Sequence, residues 1–231
     1  YRSFIDGVVN LINQNGMIPI LELHRSAPGT TRAIDQDPMP NRDHSIQFWQ
    51  EVADRYKNNT SVIFELYNEP YPDNNSDSDR GWACWRDGCT EFSDRNGGGN
   101  FQAVGMQELI NTIRGTGATN FILRGGTGYA NNMNGWLRYK PTDPQNNIGA
   151  AWHIYNFNGC ANVGCWNTNA APVIATVPMV ATEIAEDDGG TWHVNNIITW
   201  LDAHGAGYTP WVWVTGWGMS LNSDYSGTPT N

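Results

Sequence analysis

Apolar residues recur along the chain with two alternating periods. Phe4, Ile5, Val8, Val9, Leu11 and Ile12 fall at helical spacing, Asn15-Gly16 closes that helix, and the apolar run 17–23 that follows reads as a buried strand. The unit then repeats. Residues 44–57 carry a helical stripe (Ile46, Phe48, Trp49, Val52, Ala53, Tyr56) ahead of a strand at 62–66, and a helix at 101–113 precedes a strand at 120–123. Three more strands are predicted at 149–155, 177–182 and 209–215, the last two separated by a helix over 192–204. Helices alternating with short apolar strands indicate an α/β fold with a parallel sheet, and units of this size indicate a (β/α)8 barrel of the TIM type. Closure of such a barrel takes eight strands and about six are visible, so the expectation is an incomplete barrel. Its edge strands would need cover from loops, from the termini or from a second copy of the chain.

At 231 residues the chain fits one domain with a core of ordinary size. A net charge of −10 with no clustering of Lys and Arg argues against a nucleic-acid partner, which demands a basic face. The longest uncharged apolar stretch, around 170–182, is too short and too interrupted by proline to cross a bilayer. Aromatic residues are abundant, and Trp82, Trp85, Trp136, Trp152, Trp166 and Trp217 lie in segments that read as loops or strand ends. Flat faces there suit sugar rings; the alternative is that these indoles pack as core over the loop bases. The four cysteines form two local pairs, Cys84 with Cys89 and Cys160 with Cys165, each reading as a loop staple. A four-thiolate zinc site is the rival, disfavoured by the spacing within each pair and by the lack of a nearby His at ligand spacing. Disulfides imply an oxidising, extracellular setting.

The candidate chemistry sits where apolar strands surface. Val62-Ile63-Phe64 leads into Asn68-Glu69-Pro70, and the run 178–182 ends in Glu183. Two strand-terminal glutamates far apart in sequence are what a retaining glycosidase uses, one protonating the leaving oxygen and the other attacking the sugar. Catalysis in a β/α barrel takes place at the C-terminal ends of its strands, and further polar or aromatic residues fall there: His24, Asn68, His153, Tyr155 and Trp213. Glu65 is expected to be a structural partner inside the barrel, and Glu186, Asp187 and Asp188 a solvated acidic run.

These segments resemble glycoside hydrolase family 5, the cellulase family built on a β/α barrel. Asn68-Glu69-Pro70 is similar to its acid/base motif, Leu21-Glu22-Leu23-His24 with Ala27-Pro28-Gly29 to its third-strand segment, and His153-Ile154-Tyr155 to its His-x-Tyr. Val180-Ala181-Thr182-Glu183 is similar to its nucleophile strand, and Trp213 lies where the family places a tryptophan under the sugar at the cleavage point. The resemblance implies that Glu69 is the general acid and base, Glu183 the nucleophile, and Asn68 a ligand of the sugar 2-hydroxyl. His24 and His153 would position the sugar and the carboxylates. It also implies a retaining endo-β-1,4-glucanase that needs no metal or cofactor and takes a polysaccharide substrate. A β-mannanase or other β-glucan hydrolase, and a degenerate carbohydrate-binding barrel, are the alternatives. The division of labour requires Glu69 to hold its proton while Tyr155 keeps Glu183 ionised, with the carboxyls about 5 to 5.5 Å apart. Two departures stand out. The arginine that relatives carry at the end of the second strand has no counterpart except Arg25, a candidate substitute, and Ala185 stands where many relatives have Gly.

Overall fold

The computed structural model describes residues 1–93, 95–97, 99–216 and 218–230. Six parallel strands form one open, curled sheet: β1 (Ile20–Glu22), β2 (Ile63–Glu65), β5 (Ile122–Gly125), β6 (Ile148–Tyr155), β7 (Met179–Ala185) and β8 (Gly207–Pro210), in that spatial order. β3 (Thr90–Ser93) and β4 (Gly99–Gln102) make a separate antiparallel hairpin. The barrel-type expectation of about six strands holds. The sheet stays open, since β1 pairs only with β2 and β8 only with β7 among the described residues.

The helices form where the apolar stripes lie, with identifiable stops. Helix Arg42–Tyr56 starts at Asn41, whose side chain accepts from His44 N at 3.2 Å, and it buries Trp49, Ala53 and Tyr56. Helix Trp192–His204 ends on Gly205 at φ 68°, the left-handed stop that glycine takes most readily. The helix expected from residue 101 starts instead at Met106, because Phe101 belongs to β4. Gly105 marks the change: a Cβ there would lie 2.3 Å from Arg86 O. Helix Arg2–Gln14 buries only Val9 and leaves Phe4 and Leu11 exposed. Among the described residues no helix is long and apolar enough to cross a membrane.

The tryptophans expected at sugar-facing loops are core. Trp82, Trp85, Trp136, Trp152 and Trp166 are all fully buried. Each spends its indole N–H inside the molecule: Trp82 on Asp77 Oδ1, Trp85 on Gly125 O, Trp136 on Arg124 O, Trp152 on Asn131 O and Trp166 on Cys160 O. A buried indole needs such a partner, so loop-base packing won over sugar stacking. Trp217 lies outside the described residues. Both cysteine pairs are disulfides, Cys84–Cys89 and Cys160–Cys165, and no free cysteine is left for zinc among the described residues.

Candidate active site

β2 delivers the first carboxylate. Its ladder continues past Glu65 through Leu66 N to Leu123 O (3.1 Å) and Asn68 N to Leu23 O (3.2 Å), and Pro70 then removes the donor that further pairing would need. The irregular segment 36–38 is held over this end: Tyr67 Oη donates to Asp37 O (2.9 Å) and Tyr71 Oη to Gln36 O (2.7 Å). Asn68 is buried beneath that segment, and the Glu69 side chain, about a quarter exposed, stands at the rim.

The second carboxylate owes its position to a β-bulge. In register, Ala151 pairs with Val180 and His153 with Glu183, so two steps along β6 match three along β7. On the other side Ala181 pairs with Tyr208 and Ile184 with Pro210, again three steps of β7 against two. One extra residue in β7 lets consecutive side chains, Thr182 and Glu183, both reach polar partners of the site instead of alternating across the sheet. Thr182 Oγ1 donates to Glu65 Oε1 at 3.0 Å, and Glu183 Oε2 accepts from the Tyr155 hydroxyl. On β6, His153 and Tyr155 share one face by the two-residue period, while Trp152 takes the opposite face into the core.

His153 joins the pair. Its Nδ1 lies 3.0 Å from Glu69 Oε1 and 3.4 Å from Glu183 Oε2, and an oxygen of each carboxylate and the imidazole nitrogen all lie within 4.8 Å of one another. A second triad of Glu22, His24 and Glu183 meets the same limit, with His24 Nδ1 2.7 Å from Glu22 Oε1. The Asn68 amide sits between these groups: its nitrogen donates to Glu22 Oε1 (3.3 Å) and Glu183 Oε1 (3.2 Å) when turned toward them, and to Gln36 Oε1 (3.3 Å) when turned away.

Four carboxyls thus crowd two imidazoles, and the electrostatics follow. Burial alone would push the His153 imidazole down, yet Glu183 and Glu69 beside it outweigh that and push it up to about 10. It is the cation of the site at neutral pH. Burial pushes Glu183 upward, opposed by His153 and by the Tyr155 hydrogen bond, with Glu69 and Glu22 adding to the rise. Burial, then the charge of Glu22, lifts Glu65 up to about 8, so in the barrel interior it carries a proton at neutral pH. The hydrogen bond to Glu22 raises His24, against partial burial. Burial and Glu183 hold Tyr155 far above the usual phenol range, which keeps its hydroxyl a donor.

The sequence-predicted residues Glu69, Glu183, His153, Tyr155, Asn68 and His24 therefore come together in one cluster. Trp213 does not join it. β8 ends at Pro210, short of the predicted 215, so Trp213 stands beyond the strand, 67% exposed and next to Gly227. The indole stacked on His24 is that of Trp211, with ring centroids 6.1 Å apart and planes 1° off parallel. Arg25 is engaged elsewhere, its Nη1 donating to Ile34 O at 2.6 Å, and the positive charge beside Glu183 comes from His153. Of the acidic run, Asp187 and Asp188 are exposed as expected. Glu186 is buried, and its Oε2 accepts from His193 N (2.9 Å) in the first turn of helix Trp192–His204, where the helix dipole favours a carboxylate. Glu22, Gln36 and Trp211 were missed. Glu22 had a signal, since it lies two residues from His24 on one strand and so shares its face.

The sequence model of the cellulase family, glycosyl hydrolase family 5, matches residues 1–218. A stretch of 72 residues is 33% identical to endoglucanase A of Butyrivibrio fibrisolvens, covering 31% of this chain and only 15% of that protein. The fold is similar to that of a β-glucanase from Saccharophagus degradans, with a TM-score of 0.74 at 24% identity over 100% of this chain and 69% of the other. That β-glucanase has also been solved with cellotetraose. The catalytic domain of a Thermobifida fusca endoglucanase gives a TM-score of 0.66 at 19% identity over 98% of this chain and 68% of its own. An endo-β-1,4-glucanase from Xanthomonas axonopodis pv. citri gives 0.65 at 19% over 99% and 74%. With a family match that spans residues 1–218, nearly the whole chain, the chain belongs to glycosyl hydrolase family 5, the cellulase family.

Proposed function

We propose that the protein is a retaining endo-β-1,4-glucanase acting on cellulose-type polysaccharide, with Glu69 as general acid and base and Glu183 as nucleophile. The observation that carries this reading is the approach of the two carboxylates. Oxygens of Glu69 and Glu183 lie within 4.8 Å of one another, which supports the spacing of about 5 to 5.5 Å between carboxyls in retaining enzymes over the roughly 6.5–9.5 Å of inverting ones. In the first step Glu69 protonates the glycosidic oxygen while Glu183 attacks the anomeric carbon, forming a glycosyl ester. In the second, Glu69 takes a proton from water, which displaces Glu183 and restores both groups.

His153 supplies positive charge beside the Glu183 carboxylate and contacts Glu69 Oε1, and Tyr155 fixes the attacking oxygen of Glu183. Asn68 reaches toward the sugar 2-hydroxyl. His24 and Trp211 hold their rings parallel, an arrangement whose flat faces suit a pyranose ring. The glucan preference is supported by the relatives named endoglucanase and by the cellotetraose bound to the Saccharophagus β-glucanase. Two disulfides support an extracellular setting, and the open edges of β1 and β8 suit self-association.

The test is reducing-sugar release from carboxymethyl cellulose, mannan and xylan by the parent and by Glu69→Gln and Glu183→Gln. Release from carboxymethyl cellulose that falls on the order of 10⁴-fold in Glu183→Gln supports the reading. Release that survives both substitutions removes it, and release from mannan alone replaces the substrate.

A further inference from the structure

Residues 34–40 run without regular secondary structure, yet Gln36, Asp37 and Met39 are buried. A buried irregular segment has to draw its hydrogen bonds from other parts of the chain. Here two regions supply side chains that hold residues 34–37. From the β3–β4 hairpin, Asn96 accepts from Ile34 N (2.9 Å) and Asp35 N (3.0 Å) and donates to Asp35 O (3.0 Å), while Ser93 Oγ donates to Asp37 Oδ1 (2.8 Å). From the segment around Glu69 come the two tyrosine hydroxyls already described, on Gln36 O and Asp37 O. The Gln36 side chain then returns to the site: its Nε2 donates to the main-chain oxygen of Glu69 at 3.2 Å and to Asp37 O at 3.4 Å, and its Oε1 lies 3.3 Å from the Asn68 amide. The disulfide Cys84–Cys89 closes immediately before β3 and anchors the hairpin at its base.

We propose that Gln36 is a positioning residue for the acid/base Glu69, and that the hairpin, through Asn96, holds the strap that carries it. This rests on the acid/base reading of Glu69 given above. Gln36 touches no reacting atom. It fixes the backbone from which the Glu69 carboxyl reaches the leaving oxygen, so its loss affects the step in which that oxygen needs a proton. Nucleophilic attack by Glu183, delivered from β7 on the other side of the site, is left alone.

Leaving-group dependence separates such a role from a general structural one. Dinitrophenyl β-cellobioside departs without help from an acid, whereas phenyl β-cellobioside needs protonation. For Gln36→Leu, kcat/KM on the phenyl glycoside falls roughly 10- to 100-fold, the scale on which small misplacements of a catalytic group act, while the dinitrophenyl value stays within about threefold of the parent. Asn96→Ala, on the hairpin and away from the buried site, gives the same split at roughly fivefold, and keeps the test open if Gln36→Leu fails to fold by circular dichroism. Equal losses on both glycosides, or no loss, in the folded variants overturn the proposal. Glu69→Gln, run beside them, separates the two readings. If it shows the split and the strap variants do not, only the positioning role falls. If it loses both glycosides alike, or the parent turns over neither, the acid assignment falls and the positioning role with it.

Discussion

β6 and β7 each have neighbours on both sides, and β6 is buried along its whole length; β1 and β8 have one partner each and remain half-exposed or exposed. These two inner strands carry His153, Tyr155 and Glu183, the groups that must be held to fractions of an ångström. The rim strand β1 carries Glu22, the chain leaving it carries His24, and the chain leaving β8 carries Trp211, groups suited to holding a sugar. Charge placement here is supported from within the packed part of the sheet, while the groups proposed to hold the sugar lie at β1 and after β8, the strands with one partner each among the described residues. Substitutions on the central pair should therefore cost stability or chemistry, and those at the rims should cost binding.

Trp152→Ala is the severest way to break the comparison from the core side. The indole is fully buried and packs against Trp200, with centroids 5.9 Å apart. We expect a loss of about 3–5 kcal/mol in urea unfolding. A loss under about 1 kcal/mol would mean that the centre of the sheet is no better packed than its rims.

Tyr155→Phe should leave the fold intact and remove one hydrogen bond to the Glu183 carboxylate. Such bonds are worth about 1.5–3 kcal/mol, so kcat falls roughly 10- to 100-fold. That bond lowers the Glu183 pKa against burial, so its removal moves the acid limb of the kcat/KM profile to higher pH. An unchanged limb would place the limiting ionisation elsewhere.

Trp211→Ala sharpens the comparison from the rim. We expect a rise in KM for cello-oligosaccharides corresponding to about 1 kcal/mol, with little change in melting temperature. A drop in kcat with KM unchanged would put Trp211 among the groups that act on the reacting atoms.

A further effect is in the pH dependence of stability. Glu65 holds its proton up to about 8 in the fold against 4.5 ordinarily, and His153 up to about 10 against 6.5. The folded state thus binds more protons than the unfolded one, and both groups favour folding at low pH and lose that contribution as pH rises through those windows. Urea midpoints should fall between about pH 5 and 10, and Glu65→Gln should flatten the part of that slope below about pH 8. A midpoint difference between parent and variant that does not vary with pH would contradict the assignment.

Much of this was legible in the sequence because the strands are short apolar runs that end in polar residues. The period of two placed His153 and Tyr155 on one face, and Asn68-Glu69-Pro70 announced itself by the proline that stops the strand. What stayed hidden depends on register and on packing across the fold. Nothing in Val180-Ala181-Thr182-Glu183 says that a bulge turns Thr182 and Glu183 together onto the site's polar groups. The loop tryptophans read as sugar platforms because sequence does not show that Gly125 O, Asn131 O and Cys160 O wait for their indole protons. β8 was drawn too long because Trp211, Val212, Trp213 and Val214 look like strand, and that error moved attention from Trp211 to Trp213. Gln36 carried no signal at all, since its role depends on a hairpin some sixty residues away, where Asn96 is 61 positions from Asp35.

The most direct test of the two-carboxylate account is mass spectrometry of the chain after incubation with an activated 2-deoxy-2-fluoro cellobioside, which slows release of a glycosyl ester. The account predicts one added fluoro-cellobiosyl group per chain, mapped by proteolysis to the peptide holding Glu183 and absent in Glu183→Gln. An adduct on another residue, or none from a chain that cleaves carboxymethyl cellulose, would contradict it.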